Sequence, residues 1–267
     1  MDLKLQGKVA LVTGASKGIG KGIAGALAAE GANVVISARG QAALKTTAAE
    51  LNAPGGGQVA HVFADVTKAE DCVRLVEETV RCFGKLHVLV NNAAAIDNFG
   101  SYDELSDDNW QALFELNVLS VVRMTRAALP HMRREKWGRI INIASENGLQ
   151  PDPFMPHYSA TKAAILNMTK SMSKAFATDG ILVNSVSPAF ILTSMSSEVI
   201  RQRAKEAGIS FEEAEKHLLA ELRPHIELKR TGRIEEVGSA VAYLASESAS
   251  FITGTNLRVD GGSVASI

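Results

Sequence analysis

The sequence predicts an α/β protein built on one doubly wound parallel sheet with helices on both faces. Three observations predict it. Short β-branched runs alternate with longer helical patterns along the chain, several of those runs are apolar at consecutive positions, and no linker interrupts the alternation. Consecutive apolar positions mark strands covered on both faces. Repeated strand–helix alternation calls for parallel strands joined by crossovers.

In order, the strands are expected at Lys8 to Thr13, Asn33 to Ser37, Gln58 to Ala64, Leu86 to Val90, Arg139 to Ala144 and Ile181 to Ser187, with a seventh at Asn256 to Val259. Helical stretches fall near 18–30, 41–52, 68–83, 105–136, 156–178 and 234–246. The glycine-rich stretch Ala53-Pro54-Gly55-Gly56-Gly57 reads as a surface turn between helix and strand. Between Ser187 and Ile234 the rhythm breaks and no strand is expected. Ser210 and Glu213 there form a capping box, and Phe211, Ala214, Leu218 and Leu222 follow at helical spacing. Such a helix, inserted after the C-terminal end of a strand, is placed to cover the ligand crevice of an open sheet. The whole chain, 1–267, is read as one domain with a substrate-covering insertion at about 190–230.

Composition excludes several other classes. The chain has 267 residues, 46% of them hydrophobic, and 28 Lys plus Arg against 29 Asp plus Glu. A formal net charge of −1 and 5% aromatics do not provide a nucleic-acid surface or an anionic-membrane patch. Cys72 and Cys82 sit ten positions apart on one helix, about 15 Å of rise, too far for a disulfide. Two cysteines do not make a thiolate metal site, and no metal is expected. The N-terminus lacks a signal-peptide pattern and no run is long enough to span a membrane, so a cytoplasmic protein is expected.

The chemistry starts at the first strand–helix turn, Thr13-Gly14-Ala15-Ser16-Lys17-Gly18-Ile19-Gly20. Glycines let the backbone turn tightly there and let a pyrophosphate approach the free N–H groups of a helix N-terminus. The second strand ends Ser37-Ala38-Arg39, with no acid to hold the adenosine ribose hydroxyls. Arg39 and Lys17 together suit a 2′-phosphate, so NADP(H) is expected over NAD(H). Tyr158 and Lys162, four apart on a helix, share one face. An ammonium beside a phenol favours the phenolate, which makes Tyr158 a candidate general acid or base. Pro156 suits the first turn of that helix, and Ser145 ends the fifth strand where its hydroxyl can face the crevice. His157 is expected to point elsewhere.

Together these pieces resemble the short-chain dehydrogenase/reductase family in its single-domain form. The matching motifs are Thr13-Gly14-x-x-x-Gly18-Ile19-Gly20, Asp65-Val66, Asn91-Asn92-Ala93-Ala94, Asn117, Ser145, Tyr158-x-x-x-Lys162 and Pro188. The resemblance implies a seven-stranded Rossmann-like sheet, in a homotetramer built partly on two long helices, and a catalytic tetrad of Asn117, Ser145, Tyr158 and Lys162. It implies cofactor contacts from the glycine turn, from Asp65 and Val66 to the adenine, and from Asn91 and Ala93 to the adenosine side. Tyr158, Lys162 and Pro188 also meet the cofactor, and Ile191 and Thr193 the nicotinamide carboxamide. Asn117 would hold a local helix distortion. Two departures stand out: Pro188-Ala189 where the family has Pro-Gly, and Ala94-Ala95 where a glycine is usual.

By motif position the substrate wall draws on Ala95, Glu146, Asn147, Phe154, Phe190 and Met195, which suits a medium-sized ketone or secondary alcohol. The expected activity is NADP(H)-dependent carbonyl–alcohol interconversion. One alternative is a 3-oxoacyl-carrier-protein reductase, with Arg133, Arg134 and Lys136 meeting an acidic carrier, although Thr178-Asp179-Gly180 lacks the arginine such enzymes carry. The other is a catalytically idle NADP(H)-binding scaffold.

Overall fold

Hydrophobic strands that alternate their side chains between two faces need an apolar layer on each side. The computed structural model, which describes residues 2–52 and 55–266, provides both. Seven strands form one parallel sheet: β1 (Val9–Thr13), β2 (Asn33–Ala38), β3 (Val59–Phe63), β4 (Val88–Asn91), β5 (Gly138–Ile143), β6 (Ile181–Pro188) and β9 (Asn256–Val259). Their spatial order is β3-β2-β1-β4-β5-β6-β9. One register row runs Ile36, Val12, Val90, Ile141 and Asn184 across the centre. Ala53 and Pro54 of the expected turn lie outside the described residues.

On one face, Ala10, Val12, Val34, Ile36, Val88 and Val90 pack under helices α1 (Gly18–Ala29), α2 (Gln41–Leu51) and α9 (Ile234–Ala245). On the other, Leu11, Val35, Leu89 and Ile140 meet α3 (Ala69–Phe83) and α5 (Ser120–Glu135). The neighbours Val12 and Leu11 thus serve opposite cores, as the strand period of two requires. Helix α6 (Pro156–Phe176) lies against α5 and the end of β5 through Ile165, Val121 and Ala144.

The long helix expected over 105–136 is not continuous. It divides into α4 (Asp107–Phe114), a π-helical turn at Glu115–Leu119, and α5. Asn117 lies in that turn. The segment after β6 also corrects the reading. It contains two short strands, β7 (Ile191–Leu192) and β8 (Gly232–Arg233), paired in parallel, where none was expected. Two residues are too few for any period to show. Helix α8 (Phe211–Leu222) carries the expected Ser210–Glu213 capping box, and α7 (Ser194–Ala207), capped by Thr193 and Ser196, is a helix the sequence reading missed. The two helices form a hairpin with its own apolar centre of Ile200, Ala204, Ala214, Leu218 and Leu219, against which Ala189 and Phe190 pack.

Candidate active site

The strand order reverses direction between β1 and β4, and ligands bind open α/β sheets in the crevice beyond the strand ends at such a point. The turn from β1 to α1 is fixed there from across the sheet. Thr13 accepts the N–H groups of Asn92 and Ala93 on its hydroxyl at 3.0 Å each, and the Asn92 amide donates back to the carbonyls of Thr13 at 2.8 Å and Gly14 at 3.1 Å. Gly14 has φ +65°, and a Cβ there would sit 2.7 Å from the Ala93 Cα. A Cβ on Gly20 would meet the Asn92 amide at 2.5 Å and the Gly14 carbonyl at 2.6 Å. The glycines are therefore required by close packing.

A cleft of about 630 Å³ opens over this turn. Gly14, Ser16, Lys17, Gly18, Ile19, Gly20, Arg39, Asp65, Val66, Ala93 and Pro188 line one part of it, and Ala95, Ser145, Tyr158, Lys162, Thr193 and Met195 another. These are residues the sequence reading placed in a site, brought together from seven segments of the chain. Four carry charge: Lys17, Arg39, Asp65 and Lys162. Burial pushes the Asp65 carboxyl up, but the Thr67 hydroxyl and N–H and the Arg39 charge hold it below the usual range. Among the described residues neither Lys17 nor Arg39 is in an ion pair. The cleft fits a dinucleotide: two glycines whose Cβ positions are occupied, a helix N-terminus facing it, and the hydroxyl of Ser37 on its wall with no partner of its own.

Six residues expected to meet cofactor or substrate stand elsewhere. Asn91 is buried in β4, donating to the Asn142 side chain at 2.9 Å, and its neighbour Asn92 lines the cleft instead. Ile191 is packed in the core beneath α1 and α9. Phe154 is exposed, its carbonyl accepting the Gly100 N–H at 3.0 Å. Phe190 packs on the helical hairpin. Glu146 and Asn147 lie behind Ser145, both 5% exposed, rather than on the cleft wall. In each case motif position gives proximity along the chain and does not give the side chain's direction.

Ser145 follows β5, where its hydroxyl accepts the Asn147 N–H at 3.2 Å. It also lies in hydrogen-bonding reach of the Tyr158 phenol. Lys162 is 3% exposed and donates to the Ile143 carbonyl at 2.8 Å. Its ammonium lies 5.5 Å from the Tyr158 ring centre. Burial pulls Lys162 down to about 8. Burial pushes the Tyr158 phenol above its ordinary value, while the Ser145 hydrogen bond and the Arg223 charge act the other way. The phenol is thus held above its ordinary value in this geometry, because burial outweighs the groups that lower it. Asn117 braces the neighbourhood. Its amide donates to the Ala95 carbonyl and to the Thr161 hydroxyl at 3.1 Å each, and its carbonyl accepts the Ala95 N–H at 2.9 Å. The π turn gives that side chain its reach toward both segments.

The two sequence departures cause no strain. Ala94, Ala95 and Ala189 all have negative φ, so a methyl group is accommodated where the resemblance leads one to expect glycine. His157 turns from the cleft and is hydrogen-bonded through Nε2 to the Asp97 carbonyl at 3.1 Å.

Comparison with known proteins agrees with this arrangement. The family model described as short chain dehydrogenase matches residues 8–204. The D-beta-hydroxybutyrate dehydrogenase of Cupriavidus necator is 36% identical over 98% of this chain and 99% of its own. A 3-oxoacyl-acyl-carrier-protein reductase of Haemophilus influenzae is 36% identical over 97% and 98%. The crystal structure of L-sorbose reductase from Gluconobacter frateurii, complexed with NADPH and L-sorbose, superposes with a TM-score of 0.93 at 34% identity, each chain covered completely. A parallel sheet whose reversal point carries these motifs, and relatives that match it from end to end, make this chain a member of the short-chain dehydrogenase/reductase family of oxidoreductases.

Proposed function

We propose that the protein is an NADP(H)-dependent oxidoreductase that interconverts a ketone or aldehyde and an alcohol, with Tyr158 as the general acid and base. The observation that carries this reading is that Ser145, Tyr158 and Lys162 line the same cleft as the glycine turn and Arg39. A reduced nicotinamide, when bound, supplies hydride to a carbonyl carbon. Ser145 donates a hydrogen bond to the carbonyl oxygen, where negative charge grows. Tyr158 gives that oxygen its proton, and takes it back in the alcohol direction. Lys162, released from the Ile143 carbonyl, supports the phenolate left behind. Asn117 keeps Ala95 and Thr161, and with them the cleft wall and the first turns of α6, in place. Arg39 and Lys17 favour the 2′-phosphate, and the NADPH in the L-sorbose reductase structure supports the choice.

Ala94, Ala95, Ile96, Leu116 and Met195 give the cleft an apolar wall beyond Tyr158. That wall suits an uncharged carbonyl compound of medium size. The carrier-protein reading loses its cations: Arg133, Arg134 and Lys136 end α5 and lead into the start of β5, at the opposite edge of the sheet from the cleft. Arg133 is moreover paired with Asp179 at 2.8 Å. The test is NADPH oxidation against a panel of ketones. Tyr158→Phe should lower kcat on the order of a hundredfold or more while NADPH still binds. Activity that survives the substitution rejects the mechanism, and a wild-type protein that binds NADPH but turns over no carbonyl supports the idle scaffold.

A further inference from the structure

Glu146 follows Ser145 directly and is 5% exposed, so its carboxylate needs partners. It has two. Ser263, from the C-terminal segment, donates its hydroxyl to one oxygen. Arg223 places Nε 3.2 Å from the other. Arg223 is the C-cap residue of α8, so the helical hairpin ends on this carboxylate. Its Nη1 reaches Asp152, in the segment leading into α6, at 3.1 Å. Among the described residues, the other ion pairs of residues 194–223, Glu198–Arg201 and Arg203–Glu221, stay within the hairpin. Of these ion pairs only those of Arg223 reach beyond it, beside a hydrogen-bonded link in which Glu215 accepts the Thr231 N–H at 3.1 Å and the Thr231 hydroxyl at 2.5 Å. The hairpin's apolar centre is separate from the two cores of the sheet, while its base at Thr193, Ser194 and Met195 forms part of the cleft wall.

We infer that Glu146 and Arg223 are positioning residues, whose ion pair, buried on the Glu146 side, seats the α7–α8 hairpin on the Ser145 segment and thereby shapes the substrate side of the cleft. The inference rests on the oxidoreductase reading for its kinetic consequences and on geometry alone for its structural ones. Such a pair holds two elements in one arrangement because parting them strands the buried Glu146 carboxylate. It also acts on the proton donor. Burial pushes the Glu146 carboxyl up, the Ser263 hydroxyl and the Arg223 charge draw it back, and Asp260 pushes it up again. The groups around Tyr158 are Ser145, Glu146, Arg223 and, across its ring, Lys162. Glu146 raises the phenol and Arg223 lowers it, so in the closed pair the two charges oppose each other at the tyrosine. Lifting the hairpin would remove Arg223 and leave Glu146 uncompensated beside the tyrosine.

Three variants of the full-length chain with NADPH bound test this: Glu146→Gln, which keeps the shape and the Ser263 hydrogen bond, Arg223→Gln, and the two combined. Hydrogen exchange over residues 194–222 should quicken about tenfold in either single variant, and the combination should be no worse than the poorer single one. With a ketone substrate, KM for the ketone should rise about tenfold with a smaller change in kcat, while NADPH affinity stays within about twofold. For reduction, the alkaline limb of the rate profile should move to higher pH in Arg223→Gln and return in the combined variant, because Glu146 no longer carries charge. A hairpin that exchanges at the wild-type rate in Glu146→Gln overturns the inference, as does loss of NADPH and ketone binding in parallel. Exchange is read whether or not any carbonyl is turned over, so failure of the proposed activity leaves this test standing.

Discussion

Burying Lys162 takes an ammonium out of water and leaves it one backbone acceptor, the Ile143 carbonyl. Its value of about 8 lies below the 10.5 of the free side chain. Between those two values the unfolded chain binds more protons than the folded one, so stability rises with pH across that window and the cost is complete below it. That cost is on the order of 3 kcal/mol. Lys162→Met should therefore stabilise the protein at neutral pH by about 2 kcal/mol, the rest being lost with the hydrogen bond, while abolishing turnover. Denaturant titrations at neutral and strongly alkaline pH should show the gain shrinking toward the upper end of the window. At the other end of the cleft, Arg39→Asp removes the proposed phosphate partner and adds a repelling charge. The ratio of kcat/KM for NADPH over NADH should fall roughly a hundredfold, and an unchanged ratio removes Arg39 from cofactor choice. At this scale the sequence was legible wherever a motif fixes a backbone turn, as at Gly14 to Gly20. It misled where only side-chain direction matters: Asn91 and Asn92 are neighbours in sequence, and one is in the sheet while the other faces the cleft.

Elements were readable where they carried a sequence pattern of their own. Strands such as β1 and β4 declared themselves through consecutive apolar residues, and α8 through Ser210 and Glu213. Helix α7 was missed because Thr193 and Ser196 cap it through hydroxyls, without the acidic third residue that marks a capping box. The π turn was expected only through family resemblance, since its cause lies in Asn117 bonding to segments distant in sequence. Removing the α8 cap with Ser210→Ala should cost that helix about 1 kcal/mol. Because the hairpin has its own apolar centre, the loss should appear as faster hydrogen exchange in 211–222 and leave the global melting temperature nearly unchanged. A matching drop in global stability would mean that the hairpin unfolds only with the sheet.

For the molecule as a whole, the sheet is the unit that must not fail. Leu89 is fully buried in β4, beside the reversal point and in the core under α3 and α5. Leu89→Ala should lower the unfolding free energy by about 3 kcal/mol, measured by denaturant titration, with the transition remaining cooperative. The seven parallel strands followed from alternation and the resemblance, whereas their spatial order came from the structure. The ion pair between Glu146 and Arg223 did not, because 77 positions separate its partners and each reads alone as an ordinary charged residue. The separate packing of α7 and α8 gives the protein a division of labour. A dinucleotide platform that shares few apolar contacts with its hairpin tolerates exchange of that hairpin for one of another shape, provided an arginine still closes its end. Grafting residues 194–223 between relatives would then transfer substrate preference as a cassette, with the nucleotide half carried over intact.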